Sequence, residues 1–288
     1  MTDTANTTFP TPVLRGVHHT ARPTWKLTET VQFYRDQLGL PLVHAISAKG
    51  WGPDNHADFL HFFFDSGLGS TIAFFYYIGT DRPEWLESRD HYQYRATHTA
   101  WRVETREELM TWRERVEKVG IPFRYQIEHE VIESIYFNDP NGYSIEITWQ
   151  MRPFCEGDTA DAALTIQAAI ESEAERLKGG TFASIDPVWQ RKAQLIDKSP
   201  AADGVASIYV LDVPEFHALV AHAQKTPGYT VTKVDANYLR IDGRPELRFG
   251  RKELGFNHAV WYGAVTGGFS GKITQFDKNE LVIQGGGQ

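Results

Sequence analysis

The chain has 288 residues, of which 41% are hydrophobic and 23% charged, a composition typical of globular proteins. The formal net charge of −8 argues against a broad nucleic-acid-binding surface, and no apolar run approaches the roughly 20 residues of a membrane span. The single cysteine, Cys155, excludes an intrachain disulfide framework and is typical of a reducing compartment, so we expect a cytoplasmic protein.

The N-terminal half contains two segments of the same design. Residues 1–14 are polar, without a charged-then-apolar signal pattern, and are expected to form a flexible arm. The segment Gly16–Pro23 then precedes helical periodicity over Thr28–Val43, and the segment Ala96–Val103 precedes helical periodicity over Thr105–Arg124. Each helix is predicted to end at a glycine stop, at 38–41 in the first copy and at 119–122 in the second. Both copies therefore read as a strand followed by a helix.

Strand-like runs follow each helix. They lie around 58–64 and 70–77 in the first copy, and at 123–130, 131–137 and 143–149 in the second. This order predicts a duplicated βαβββ module and an α+β fold. Two such modules could close side by side into one curved sheet, with the helices outside and a cavity inside.

The second half has a different pattern. Helices are predicted over 157–180, with Asp158 as a candidate cap, and over 186–198, with Asp186 as cap and Pro187 at the first helical position. Further elements are predicted as strand, helix and strand over 205–213, 215–224 and 229–234, and as strands around 256–263 and 281–284. The expected organisation is an arm (1–14), a paired βαβββ domain (15–150), a helical linker (151–204) and a smaller α+β domain, possibly a reduced βαβββ module (205–288).

The duplication selects candidate site residues. The triplet His-Thr-Ala occurs twice, and its alignment pairs His19 with His98. Alignment of the last strands, "GSTIAFFY" on "GYSIEITW", pairs Ala73 with Glu146. Of these four equivalent positions, three carry side chains that can bind a metal ion.

Glu146 is the one acid in a strand-like run that has an aliphatic face. Because side chains alternate along a strand, Ile145 and Ile147 lie on one face, and Ser144, Glu146 and Thr148 on the other. A carboxylate that points into a cavity needs a partner, since an unpaired buried charge is very costly.

Two imidazoles and one carboxylate on converging strands are the facial-triad ligand set, which suits non-haem Fe(II) with open coordination positions. A single histidine among the eleven of this chain is more often a structural residue. The duplicated triplet with an acid on the matching strand favours the metal interpretation for His19, His98 and Glu146, and Ala73 leaves the fourth position vacant.

Residues 15–150 resemble the vicinal oxygen chelate superfamily, whose paired βαβββ modules carry metal ligands on their strands. Within it, the stretch "IEHEVIESIYFNDPNGYSIE" (127–146) is similar to the signature of type I extradiol ring-cleavage dioxygenases. The matching residues are Ile127, His129, Ile135, Tyr136, Asp139, Pro140, Gly142 and Glu146.

This resemblance implies an enzyme that cleaves the ring of a small catechol-like aromatic substrate with O2, using Fe(II) held by His19, His98 and Glu146. It implies that His129 hydrogen-bonds the substrate or the oxygen intermediate, and that Tyr136 orients the bound catecholate. It also implies a homo-oligomer, with neither nucleic acid nor membrane as partner.

The chain departs from this family near the start of the fourth strand, where relatives usually carry an acid–base histidine and this sequence has Ser70. A hydroxyl does not exchange protons near neutral pH as an imidazole does. The proton transfer could fall to His129, Tyr136, His18 or His61, or the substrate could be a hydroquinone or an aminophenol.

Two other functions stay open on the sequence alone. One is a metal-dependent isomerase or lyase of the same superfamily using Zn, Ni or Mn, although such relatives generally have a fourth protein ligand, against which Ala73 argues. The other is a metal-free small-molecule binding protein, although such relatives tend to lack the ligands.

Overall fold

The computed structural model describes most of the chain, apart from five internal gaps and the two ends. The described residues are 17–49, 56–86, 96–176, 179, 184–199 and 202–286, without the side chains of Ser47 and His129. The predicted arm of residues 1–14 lies outside them. The chain divides into two compact units, of which the first comprises the residues up to Tyr125 and Ile135–Thr148, and the second comprises Gln126–Ser134 and Trp149–Gln288. The predicted boundaries at residues 150 and 204 stay predictions.

The first βαβββ module has a mixed sheet in the order β1-β4-β3-β2, in which β1 runs parallel to β4. Its elements are β1 (His19–Thr24), α1 (Leu27–Val31), a wider π-helical turn (Gln32–Gln37), β2 (Leu42–Ala48), β3 (Phe59–Gly67) and β4 (Ser70–Tyr77).

The first helix ends at the predicted glycine stop, residues 38–41. Gly39 adopts a left-handed conformation with φ of 75°, and Pro41 has no N–H to continue a helix. The chain therefore turns there, and β2, which the sequence pattern did not indicate, starts at Leu42.

The second module repeats this plan with a sheet in the order β5-β8-β7-β6. Its elements are β5 (His98–Val103), α2 (Arg106–Lys118), β6 (Phe123–His129), β7 (Ile132–Asn138) and β8 (Ser144–Gln150). Thr105 caps α2 by accepting a hydrogen bond from the N–H of Glu108, whose carboxylate in turn accepts from the N–H of Glu104. The predicted βαβββ modules and the α+β class are confirmed.

The second unit contains helices and two antiparallel sheets. Its elements are α3 (Glu156–Arg176), α4 (Asp186–Ile196), β9 (Ala206–Leu211), α5 (His217–Lys225), β10 (Tyr229–Lys233), β11 (Tyr238–Gly243), β12 (Glu246–Gly250), α6 (Arg251–Leu254), α7 (His258–Gly263), β13 (Phe269–Ser270), β14 (Lys272–Phe276) and β15 (Glu280–Gln284). The sheets have the orders β10-β11-β9-β13 and β12-β15-β14, with β9 antiparallel to β11. This pairing differs from that of the first module, where the first strand lies parallel to its neighbour.

Three local predictions for the second unit need correction. The segment 256–263, predicted as a strand, contains the helix α7, because the Asn257 side chain caps it by accepting from the N–H of Val260. Asp186 is the first residue of α4, without a side-chain capping bond. Asp158 lies in the first turn of α3, where its carboxylate accepts from the N–H of Cys155. Among the described residues, none of the helices is both long and apolar enough to cross a membrane.

Candidate metal centre

Glu146 lies on the middle of β8, on the face predicted from strand alternation. Ile145 and Ile147 are buried in the core on the other face. The Glu146 side chain is only 3% exposed, and its Oε2 lies 2.8 Å from Nε2 of His98 on β5. The other oxygen, Oε1, is buried and has no hydrogen-bond partner. Strand alternation therefore predicted the face on which Glu146 lies. The structure adds that one of its two carboxylate oxygens has no hydrogen-bond partner.

The Asp-Pro-Asn-Gly turn anchors the start of β8. The Asp139 carboxylate accepts hydrogen bonds from the N–H groups of Asn141 and Tyr143 and from the hydroxyl of Tyr34. The Asn141 side chain, in turn, accepts from the Thr24 hydroxyl at 2.7 Å. Burial raises the pKa of Asp139, although these hydrogen bonds oppose the rise. The turn is thus tied to elements of the first module, which fixes the strand that carries Glu146.

His19 lies at the start of β1 in a different environment. The residue is exposed, and its Nδ1 lies 2.8 Å from Nδ1 of His18. Its ring contacts those of His61 and Phe63, with centroids 6.5 and 5.9 Å away. Ala73 is fully buried on β4, where its methyl group can bind no metal.

The structure thus brings together two of the three predicted ligands. His98 and Glu146 are in contact, whereas His19 does not join them: across the residues that the structure describes, no three His, Cys, Asp or Glu side chains form a group that could hold a metal ion.

The pair nevertheless fits a divalent cation chemically. A buried carboxylate oxygen without a donor costs free energy, and an imidazole Nε2 beside it is a good ligand for the same ion. A cation bound between them would satisfy both groups, so the residues present are compatible with a metal site.

Tyr136, for which the family resemblance implies a substrate-orienting role, lies beside this pair. It is 7% exposed, and its ring centroid lies 6.0 Å from that of His98. Tyr125 packs on it with a centroid distance of 4.7 Å, a contact that the sequence analysis missed. Tyr125 lies on β6 and Tyr136 on the neighbouring strand β7, and this adjacency could have indicated the contact between them. The side chain of His129, the second predicted catalytic residue, lies outside the described part of the structure.

His61, one of the possible proton-transfer residues, is buried beneath aromatic rings. Its ring stacks on Phe75 with a centroid distance of 3.7 Å, and its Nδ1 donates to the carbonyl of Phe74 at 3.1 Å. Burial lowers the pKa of His61, and the nearby His19 and His44 lower it further, while the bond to Phe74 opposes them. The hydrogen on Nδ1 leaves Nε2 as the acceptor nitrogen.

Comparisons with known proteins agree with the fold. A sequence profile of the Glyoxalase/Bleomycin resistance protein/Dioxygenase superfamily matches residues 16–147. No curated protein matched the chain.

Solved structures similar to the chain cover about half of it. A lactoylglutathione lyase from Agrobacterium tumefaciens is 21% identical over 48% of this chain and 95% of its own, with a TM-score of 0.35. A glyoxylase/bleomycin resistance protein/dioxygenase domain from Frankia sp. EAN1pec is 20% identical over 49% and 96%, with a TM-score of 0.37. A fosfomycin resistance protein from Listeria monocytogenes is 17% identical over 48% and 94%, with a TM-score of 0.33. The profile match spans residues 16–147, a little less than half of the chain, and this part of the chain is similar to the Glyoxalase/Bleomycin resistance protein/Dioxygenase superfamily.

Proposed function

We propose that the protein is a non-haem Fe(II)-dependent extradiol dioxygenase that cleaves the ring of a catechol-like substrate with O2. The observation that carries the proposal is the His98–Glu146 pair, in which one buried carboxylate oxygen lacks a partner. This pair lies in the module whose strands contain the stretch 127–146, which is similar to the extradiol signature.

The proposed ligands are His19, His98 and Glu146. Fe(II), when bound, would supply Lewis acidity toward the phenolic oxygens and open positions for substrate and dioxygen. Two imidazoles and one carboxylate leave about half of an octahedral sphere free. Ala73, at the position equivalent to Glu146, adds no fourth ligand, which argues against an isomerase or lyase that uses four.

Residues around the pair would orient the substrate. The ring of Tyr136 lies edge-on to that of His98 and is held by Tyr125, so its position is fixed before a ligand arrives. We propose that its hydroxyl hydrogen-bonds an oxygen of the substrate, and that His129 assists in proton transfer. We also propose that the protein is a homo-oligomer in the cytoplasm. Its partners would be a small aromatic substrate and O2.

The test is oxygen uptake by protein purified without oxygen and reconstituted separately with Fe(II), Zn(II), Ni(II) and Mn(II). Catechols, hydroquinones and aminophenols serve as substrates. We expect uptake with Fe(II) alone and loss of uptake in Glu146→Gln. Glu133→Gln is the matched control, because Glu133 is a buried acid on the neighbouring strand that accepts from Gln126. Turnover with Zn(II) or Ni(II) that consumes no oxygen would favour the isomerase or lyase instead.

A further inference from the structure

A cavity of about 380 Å³ lies within the first unit, and none of its lining residues belongs to the candidate metal centre. Its walls come from Phe33 and Gln37 of the π-helical turn, from residues 120–122 after α2, from Arg124 of β6 and from residues 138–140 at the end of β7. Cavities of about 300–1,000 Å³ are typical of small-molecule sites. The size alone therefore permits a small ligand, and the chemistry of the walls decides its class.

The guanidinium of Arg124 is only partly satisfied by the protein. Its Nη1 donates to the side-chain oxygen of Asn138 at 3.0 Å, and its Cζ lies 5.6 Å from the ring centroid of Tyr125. Its Nη2 is buried and has no hydrogen-bond partner. A buried charged donor without an acceptor costs free energy, and a bound acceptor removes that cost. Arg124 therefore presents an unused hydrogen-bond donor in the wall of the cavity.

The charges around the cavity favour an anion. Within the ranges that the structure describes, neither Arg124 nor Arg115 forms an ion pair with a carboxylate. Arg115 of α2 donates from Nε to the carbonyl oxygen of Gln37 at 2.8 Å, so its positive charge lies next to the cavity wall. The acid of the wall, Asp139, directs its carboxylate to the N–H groups of Asn141 and Tyr143.

The carbonyl ends of two helical segments oppose this preference. The π-helical turn ends at Gln37 and α2 ends at Lys118, and a helix C-terminus carries at most about half a negative charge. Two guanidinium groups carry two full positive charges. The positive charge therefore outweighs the helix ends.

Much of the remaining wall is apolar. Phe33 and Ile121 are almost fully buried, and Pro122 and Pro140 contribute rings that have no N–H. An inorganic anion would contact the guanidinium and leave these surfaces unused. A carboxylate on a short aliphatic chain matches both parts, because a planar guanidinium pairs well with a carboxylate and the chain can pack on the apolar wall.

We infer that this cavity binds a small aliphatic carboxylate. The carboxylate accepts a hydrogen bond from Nη2 of Arg124, and the chain packs on Phe33 and Ile121. A rotation of the long Arg124 side chain brings Nη2 to the carboxylate, a kind of change that is common on binding. The site is independent of the proposed dioxygenase activity, since none of its residues is a proposed metal ligand or catalytic residue.

The test is calorimetric titration of the full-length protein with hexanoate and with hexanamide. The protein is first freed of metal with EDTA and then dialysed, so that no carboxylate can bind to a metal ion. The two compounds have the same chain and differ in charge. We expect hexanoate to bind at least about tenfold more tightly than hexanamide, because only the acid pairs with a guanidinium charge.

Variants locate the site. Arg124→Met should weaken hexanoate binding by about tenfold to a hundredfold, since a hydrogen bond to a charged group is lost. Arg35→Met is the matched control and should bind hexanoate like the wild type, because Arg35 lies on the π-helical turn, is exposed and pairs with Asp36. Circular dichroism checks that each variant is folded. Should Arg124→Met fail to fold, Arg124→Lys replaces it and should bind about tenfold more weakly, because an ammonium lacks the planar fork.

Three results would overturn the inference. The first is wild-type protein that binds neither compound or binds both equally, which needs no variant. The second is unchanged hexanoate affinity in the folded Arg124 variant. The third is inorganic phosphate that binds as tightly as hexanoate and displaces it, because the apolar wall would then contribute nothing to recognition.

Discussion

Replacement of Glu146 by methionine is expected to change metal-free and metal-loaded protein in opposite directions. The carboxylate is 3% exposed and one of its oxygens has no hydrogen-bond partner. The other oxygen contacts His98, whose side chain is 32% exposed. Removal of the acid therefore leaves an imidazole that can bind water, and it does not leave a buried, unpaired charge.

The magnitude follows from these two effects. A buried hydrogen-bonding group without a partner costs about 1–3 kcal/mol. The His98 imidazole that the substitution leaves behind has a side chain 32% exposed, so water can replace the lost contact at little cost in free energy. We expect the free energy of unfolding of metal-free Glu146→Met to be unchanged or raised by up to about 3 kcal/mol. Metal at about 100 times its Kd should stabilise the wild type by about 2.7 kcal/mol and the variant hardly at all.

Urea unfolding without oxygen, in EDTA and in Co(II), measures both effects. Glu133→Met is the control: this acid is buried and accepts from the amide of Gln126 at 2.5 Å, so its loss should destabilise by about 1–2 kcal/mol. A decrease of more than about 1 kcal/mol for Glu146→Met in EDTA would show that the carboxylate is well satisfied. Stabilisation of Glu146→Met by Co(II) equal to that of the wild type would remove Glu146 from the ligand set.

Three further outcomes are expected. Arg152→Met should lower the free energy of unfolding by about 3–5 kcal/mol, because the partly buried carboxylates of Asp158 and Glu215 both lose their guanidinium partner; urea titration checks this, and an effect below about 1 kcal/mol would make these pairs ordinary surface pairs. The hydrogen bond from Arg152 lowers the pKa of Asp158 below its usual value of 3.8. The stability that this bond provides is therefore present above that value and is lost as the pH falls below it, through the lowered pKa; Arg152→Met should flatten this acid dependence, and an unchanged profile would contradict it. His98→Ala should abolish Co(II) binding, and metal content equal to the wild type in the folded variant would contradict the assignment.

The sequence by itself determined much of the first unit, because its signals are local and repeated. Strand alternation alone placed Glu146 opposite Ile145 and Ile147, and the duplicated triplet paired His19 with His98. Periodicity indicated both βαβββ modules. It was less reliable where a cap decides between helix and strand, as at Asn257, where one side-chain hydrogen bond outweighs the strand-like residues that follow.

Only the tertiary structure decided which faces of the two modules meet. Alternation gives the two faces of each sheet but not which of them is buried against the other module, because both carry apolar residues and that choice depends on long-range packing. Within the first unit, the Arg22–Thr99 hydrogen bond joins the first strands of the two modules on the strand faces opposite His19 and His98. The unsatisfied oxygen of Glu146 is likewise a property of three-dimensional burial, since the partners of a side chain are set by neighbours distant in sequence.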